Sequence, residues 1–139
     1  MLGSFDVDAS AFAKRYIREP GSERVEEICL EVTKLAVSAI CLPEIISALC
    51  RLRREKVLGK SRYERLRNAV VRDLEDVIIC NTTPEVVGRA VRLLESNRLR
   101  AMDALHVACA LEWGAELFVS ADRRQVAAAE NAGLAVMSV

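Results

Sequence analysis

Residues 117–137 read LFVSADRRQVAAAENAGLAVM. Leu117 to Val119 is a short aliphatic run of strand length. Asp122 then starts a segment of helical composition that Gly133 stops, and Leu134 to Met137 is a second aliphatic run. Strand, helix and strand in that order are the signature of an α/β domain with a mainly parallel sheet.

The same alternation runs back through the chain. Gly3 to Val7 reads as a first strand, and Ser10 opens an apolar-patterned helix through Phe12 and Tyr16. The turn Glu19-Pro20-Gly21-Ser22 ends it, with Ser22 placed to cap a helix carrying Val25, Ile28 and Val32 on one face. Leu35 to Ser38 has strand character, and Leu42, Ile45, Ile46 and Leu49 recur at helical spacing with Pro43 in the first turn. Gly59-Lys60-Ser61 separates that helix from an arginine-rich one ending near Leu74. Val77 to Cys80 predicts a strand, Thr83-Pro84-Glu85 a helix start, and Ala101 to Trp113 a helix stopped by Gly114.

Composition bounds the rest. The 139 residues fit one domain, residues 1–139, large enough to fold without disulfides or a structural metal. An apolar fraction of 52% with 29% charged residues excludes disorder, and only 4% aromatics require an aliphatic core. Twenty basic residues balance twenty acidic ones, so no global field announces a nucleic-acid partner. The five cysteines, at 29, 41, 50, 80 and 109, are odd in number and form no C-x-x-C pair. They read as small buried hydrophobes in a reducing compartment. No apolar stretch reaches the length of a membrane span or of a signal peptide, so a cytoplasmic protein without a membrane association is expected.

Function in an open parallel sheet gathers at the carboxyl ends of the strands. Four acids fall there. Asp8 closes the first strand, Glu44 follows the second and lies off the apolar stripe of its helix, and Asp122 follows Val119. Asp103 opens a helix, ALHVACAL from Ala104 to Leu111, that is apolar nearly all round. Each acid alone has an ordinary explanation, as a turn, an N-cap or a partner of a helix dipole. Four at one end of a small sheet would repel one another, and a hard divalent cation relieves that conflict.

No glycine-rich phosphate loop, G-x-S-x-G elbow or H-E-x-x-H pair competes with this reading. His106 is the only histidine; it could orient Asp103 three residues earlier, or be a hydrogen-bonded core residue. Asp6 shares a strand face with Asp8 and is either a further acid of the site or paired with a basic partner elsewhere. Residues 51–72 hold nine basic residues against Glu55 and Glu64, a net of +7. That stretch, Arg62 and Arg65 within it, is either a phosphate-tracking surface, a solvated face or a dock for an acidic protein.

Four segments resemble the PIN-domain proteins, in particular the small VapC-type toxins. FDVDASAFAKRYIREPGS resembles their opening, where a strand ends in Asp8, and AVSAICLPEIISAL their second motif, with Glu44. RLRAMDALHVACAL resembles the third, with Asp103, and ELFVSADRRQVAAAENAGLAV the last, with Ser120 and Asp122. Ala9 stands where the family commonly has Thr. The resemblance implies a single doubly wound domain, a mainly parallel central sheet flanked by helices. It also implies a ribonuclease in which Asp8, Glu44, Asp103 and Asp122 hold Mg²⁺ or Mn²⁺ while Ser120 steadies a ligand or a water. It further implies a homodimer silenced by a small antitoxin protein.

The leading expectation is therefore a toxin-type endoribonuclease acting on structured RNA. A housekeeping RNA-processing nuclease of the same fold is an alternative within the same chemistry. A non-catalytic module whose acidic groove receives a basic partner segment is the alternative outside it.

Overall fold

The computed structural model describes residues 2–139. Five strands form one sheet: β1 (Leu2–Val7), β2 (Val32–Ser38), β3 (Ile78–Cys80), β4 (Leu117–Ser120) and β5 (Val136–Ser138). Their order is β3-β2-β1-β4-β5, and every neighbouring pair is parallel. The sheet thus grows in one direction from β1 to β3 and in the other from β4 to β5. The order reverses between β1 and β4, where Val7 pairs with Val119.

Helices cover both faces. The short α1 (Ala9–Phe12) runs into a 3₁₀ turn, Ala13–Arg15; α2 spans Ser22–Glu31, α3 Cys41–Arg54 and α4 Lys60–Leu74. Phe5, Val7, Val37 and Val119 of the sheet pack against this first set through Phe12, Ile28, Ile45 and Leu49. The second set is α5 (Pro84–Ser96), α6 (Ala101–Trp113) and α7 (Arg123–Asn131). Ala104, Val107 and Ala108 of α6 meet Phe118 of β4 there, with Val86 and Leu93 of α5 and Ala129 of α7. Small alanines let α6 lie close to the sheet. The doubly wound arrangement expected from the sequence is present, and the sheet is wholly parallel.

Two local readings are corrected. Gly21, not Ser22, precedes α2: its φ of 95° is left-handed, and the Ser22 hydroxyl instead accepts the Glu19 backbone N–H at 3.0 Å. Val32 belongs to β2 rather than to the helix before it, because β1 pairs with β2 back to Val32. Its place on the helical stripe disguised a β-branched residue at a strand start. No disulfide joins the described cysteines, of which Cys41 and Cys109 are buried. Among the described residues no helix is long and apolar enough to cross a membrane.

Candidate active site

The reversal of strand order places the ends of β1 and β4 side by side, and a groove opens beyond them. Four helices begin at this groove, and each carries one of the expected acids at its N-cap or in its first turn. Asp8 is the N-cap of α1 and accepts the Ala11 N–H at 3.0 Å. Glu44 stands in the first turn of α3. Asp103, in the first turn of α6, accepts the Arg100 N–H at 3.3 Å. Asp122 caps α7, accepting from the N–H groups of Arg124 at 2.8 Å and Gln125 at 3.1 Å. The capping role and the clustering are one arrangement, since a parallel α/β sheet delivers helix starts to its carboxyl edge. The positive helix ends offset part of the repulsion among the acids.

Glu44, Asp103, Asp122 and His106 line a groove of about 560 Å³, with Ser10 and Gln125 beside them. An adjoining depression is again walled by Glu44, Asp103 and Asp122. Asp8 lies beneath, completely buried. Ser120 donates to its Oδ2 at 3.0 Å while accepting the Asp122 N–H at 2.9 Å, so it ties the floor of the groove to the start of α7. Ser10 donates to the same carboxylate at 2.8 Å and accepts the Ala121 N–H at 3.0 Å.

Burial raises the Asp8 pKa above the usual carboxylate range; the nearby His106 ring and the Ala11, Ser10 and Ser120 hydrogen bonds oppose the shift. Asp6 is also completely buried, two residues earlier on β1. Its two oxygens have no hydrogen-bond partner. No basic partner meets it among the described residues, which corrects that branch of the sequence reading. Desolvation first, then the Asp8 charge, holds the Asp6 carboxyl well above its ordinary range. Burial likewise pushes the Cys80 thiol up to about 12, with Asp6 adding to the shift.

Several contributors escaped the sequence reading. His106 pairs with Glu44, not with Asp103. Gln125 donates from Nε2 to Oδ1 of Asp103 at 3.0 Å. Its position three residues after Asp122 has capping-box spacing, a signal for the residue though not for its contact with Asp103. Ser10 was legible only as a helix start. The basic residues lining the two depressions are Arg51, Arg100, Arg123 and Arg124. All four are exposed and none is ion-paired among the described residues. Arg62 and Arg65 are exposed on α4 and do not line the groove.

A hard divalent cation matches this donor set in kind, since Glu44, Asp103 and Asp122 offer carboxylate oxygens to the groove and the Asp8 carboxylate lies buried beneath it without a salt-bridge partner among the described residues. In the arrangement seen, the carboxylates turn to protein donors. No three His, Cys, Asp or Glu side chains among the described residues converge as an ion-holding set. Glu44, Asp103 and Asp122 are partly exposed at the groove, within reach of a ligand there.

A model of the PIN domain family matches residues 7–131. Among curated proteins, none matches the chain by sequence. The fold is similar to VapC20 of Mycobacterium tuberculosis, described as a Sarcin-Ricin loop cleaving toxin, with a TM-score of 0.72 and 18% identity, covering 98% of this chain and 100% of that one. It is similar to the DNA-bound VapBC of Salmonella typhimurium, with a TM-score of 0.71 and 15% identity over 99% and 98% of the two chains. PAE2754 of Pyrobaculum aerophilum gives a TM-score of 0.72 and 20% identity, covering 96% of this chain and 82% of that one. At such identities the likeness is one of fold, and function has to be argued from the groove.

Proposed function

The chain belongs to the PIN domain family, and from that premise we propose that it is a metal-dependent endoribonuclease, the toxin of a toxin–antitoxin pair. Residues 1–139 then act as one nuclease domain. The observation that carries the reading is the acidic groove at the strand switch, walled by Glu44, Asp103 and Asp122 with Asp8 beneath it. These four acids are the proposed holders of Mg²⁺ or Mn²⁺. When bound, such a cation supplies Lewis acidity to a phosphodiester and its attacking water.

The chain's own residues do the remaining work. Ser10 and Ser120 fix both oxygens of Asp8, so this carboxylate cannot rotate away from the groove. Gln125 holds Oδ1 of Asp103, and the Arg100 N–H its Oδ2. Arg51, Arg100, Arg123 and Arg124 surround the acids with cations that have no ion pair among the described residues, which suits a polyanion whose scissile phosphate must approach carboxylates. Arg62 and Arg65, exposed on α4, are further candidates for phosphate contacts outside the groove. The acids without such a basic rim would repel the substrate.

The VapBC and toxin–antitoxin complexes among the fold neighbours support an antitoxin protein as a partner. The exposed apolar stripe of Val87, Val91 and Leu94 on α5 supports a homodimer. The test is cleavage of a structured RNA, with Mg²⁺, Mn²⁺ or EDTA. Cleavage that depends on the cation and is lost in Asp122→Asn is expected. Cation-independent cleavage, or none with any structured RNA, overturns the proposal.

A further inference from the structure

His106 is fully buried in α6, and its Nε2 contacts Oε1 of Glu44 on α3, a residue 62 positions away in sequence. Its other ring nitrogen, Nδ1, is also buried and has no hydrogen-bond partner. Packing alone does not account for such a histidine. A Leu or Met would fill the same volume among the alanines of α6 without leaving a polar atom unsatisfied. What the imidazole does that an apolar residue cannot is meet Glu44.

Glu44 needs that contact. Its side chain is 33% exposed at the groove and has three torsions to lose on ordering. No hydrogen bond reaches its Oε2 among the described residues. With Oε1 held from inside the protein, Oε2 is the oxygen left for a ligand in the groove. The ring that holds it is immobilised on the helix that also carries Asp103, so one rigid element sets the placement of two of the acids.

We infer that His106 is a positioning residue: donating from Nε2, it holds one oxygen of Glu44 so that the other is presented to a divalent cation in the groove. This rests on the groove being the cation site proposed above. It adds a buried outer partner, of the kind that orients carboxylate ligands in metal sites and costs 10- to 100-fold in affinity when removed.

The experiment is a calorimetric titration of the purified protein with Mn²⁺, with melting in EDTA as the check on folding. In His106→Gln the amide nitrogen falls about where Nε2 stands; in His106→Asn it falls about where Nδ1 stands. His106→Gln is expected to bind Mn²⁺ within about threefold of the wild type, and His106→Asn about 10- to 100-fold more weakly. On a Glu44→Gln background the His106→Asn change should add little further loss, because the partner it acts through is gone. If His106→Asn does not fold, His106→Met replaces it, filling the volume without a donor, and the same weakening is expected. Wild-type affinity in His106→Asn or His106→Met, or a full additive loss on the Glu44→Gln background, overturns the positioning role. A wild type that takes up no Mn²⁺ removes the cation site itself, an outcome distinct from a site that binds regardless of His106.

Discussion

Asp6 and Asp8 stand two residues apart on one strand face, both completely buried, yet Asp8 receives three protein donors and Asp6 receives none. Asp8 lies where β1 gives way to α1, so a helix N–H and two hydroxyls reach it. Asp6 lies within the strand, in register with Ala36 and Phe118, where no donor is available. The two carboxyls consequently share a cause of destabilisation but not its relief.

A buried acid whose pKa is raised by folding keeps its proton in the native state after the unfolded chain has lost it. Native protein then binds more protons than unfolded protein, and stability falls as pH rises. For Asp6 and Asp8 the loss begins near the ordinary value of 3.8 and continues up to their raised native values. Asp6→Asn removes the charge at constant size. In EDTA at pH 7 it should stabilise the protein, and the advantage should shrink on acidification toward pH 4. Chemical denaturation across that pH range measures it. A variant less stable than wild type at pH 7, or one with an unchanged pH slope, contradicts the account.

Binding of a cation to the native state alone raises the melting temperature by mass action. Mn²⁺ should therefore stabilise the wild type against heat, and stabilise Asp8→Asn less. Asn is as good an N-cap as Asp, so α1 keeps its start and the comparison isolates the charge. Equal shifts in both proteins would place Asp8 outside the cation site.

The parallel sheet was legible because short strand-length runs alternate with helical segments along the chain, and the acids because each falls at such a junction. What stayed hidden depends on which elements meet in space. The Glu44–His106 pair joins α3 to α6, and Gln125 reaches Asp103 from α7 to α6, contacts that no local pattern encodes. The basic residues show the same limit. Density of charge drew attention to residues 51–72, of which Arg51 lines the groove, whereas Arg100, Arg123 and Arg124 reach it from outside that stretch, beside Asp103 and Asp122.

That difference yields a binding prediction. Arg62→Ala with Arg65→Ala should weaken RNA binding and flatten its salt dependence by roughly one unit of slope per lost phosphate contact, leaving kcat nearly unchanged. Arg100→Ala, at the junction of the two depressions, should lower kcat/KM with a matching change in kcat, because it acts beside the scissile phosphate. Filter binding over a salt series and steady-state cleavage separate the two. Unchanged affinity and slope in the α4 variant would assign that helix to a protein partner or to solvent.

Asp103 offers the sharpest separation of a structural role from a chemical one. Its Oδ2 accepts the Arg100 N–H and its Oδ1 accepts Gln125 Nε2, so both oxygens already have work in the fold. Asn can take over that work. One amide oxygen can accept the Arg100 N–H, and the amide nitrogen can donate to Gln125 Oε1, which is buried and unpartnered, once the Gln125 amide turns over. The helix start loses only its charge–dipole attraction, about 0.3–1 kcal/mol, and the acid cluster loses one repelling charge. Melting of Asp103→Asn in EDTA should therefore lie within a few degrees of the wild type. RNA cleavage in Mg²⁺ should fall by orders of magnitude, because an amide cannot supply the negative charge that a divalent cation requires. Both measurements are made on the same preparation. An Asp103→Asn protein that melts normally and cleaves at the wild-type rate would reduce Asp103 to a helix cap and leave the groove without its proposed chemistry.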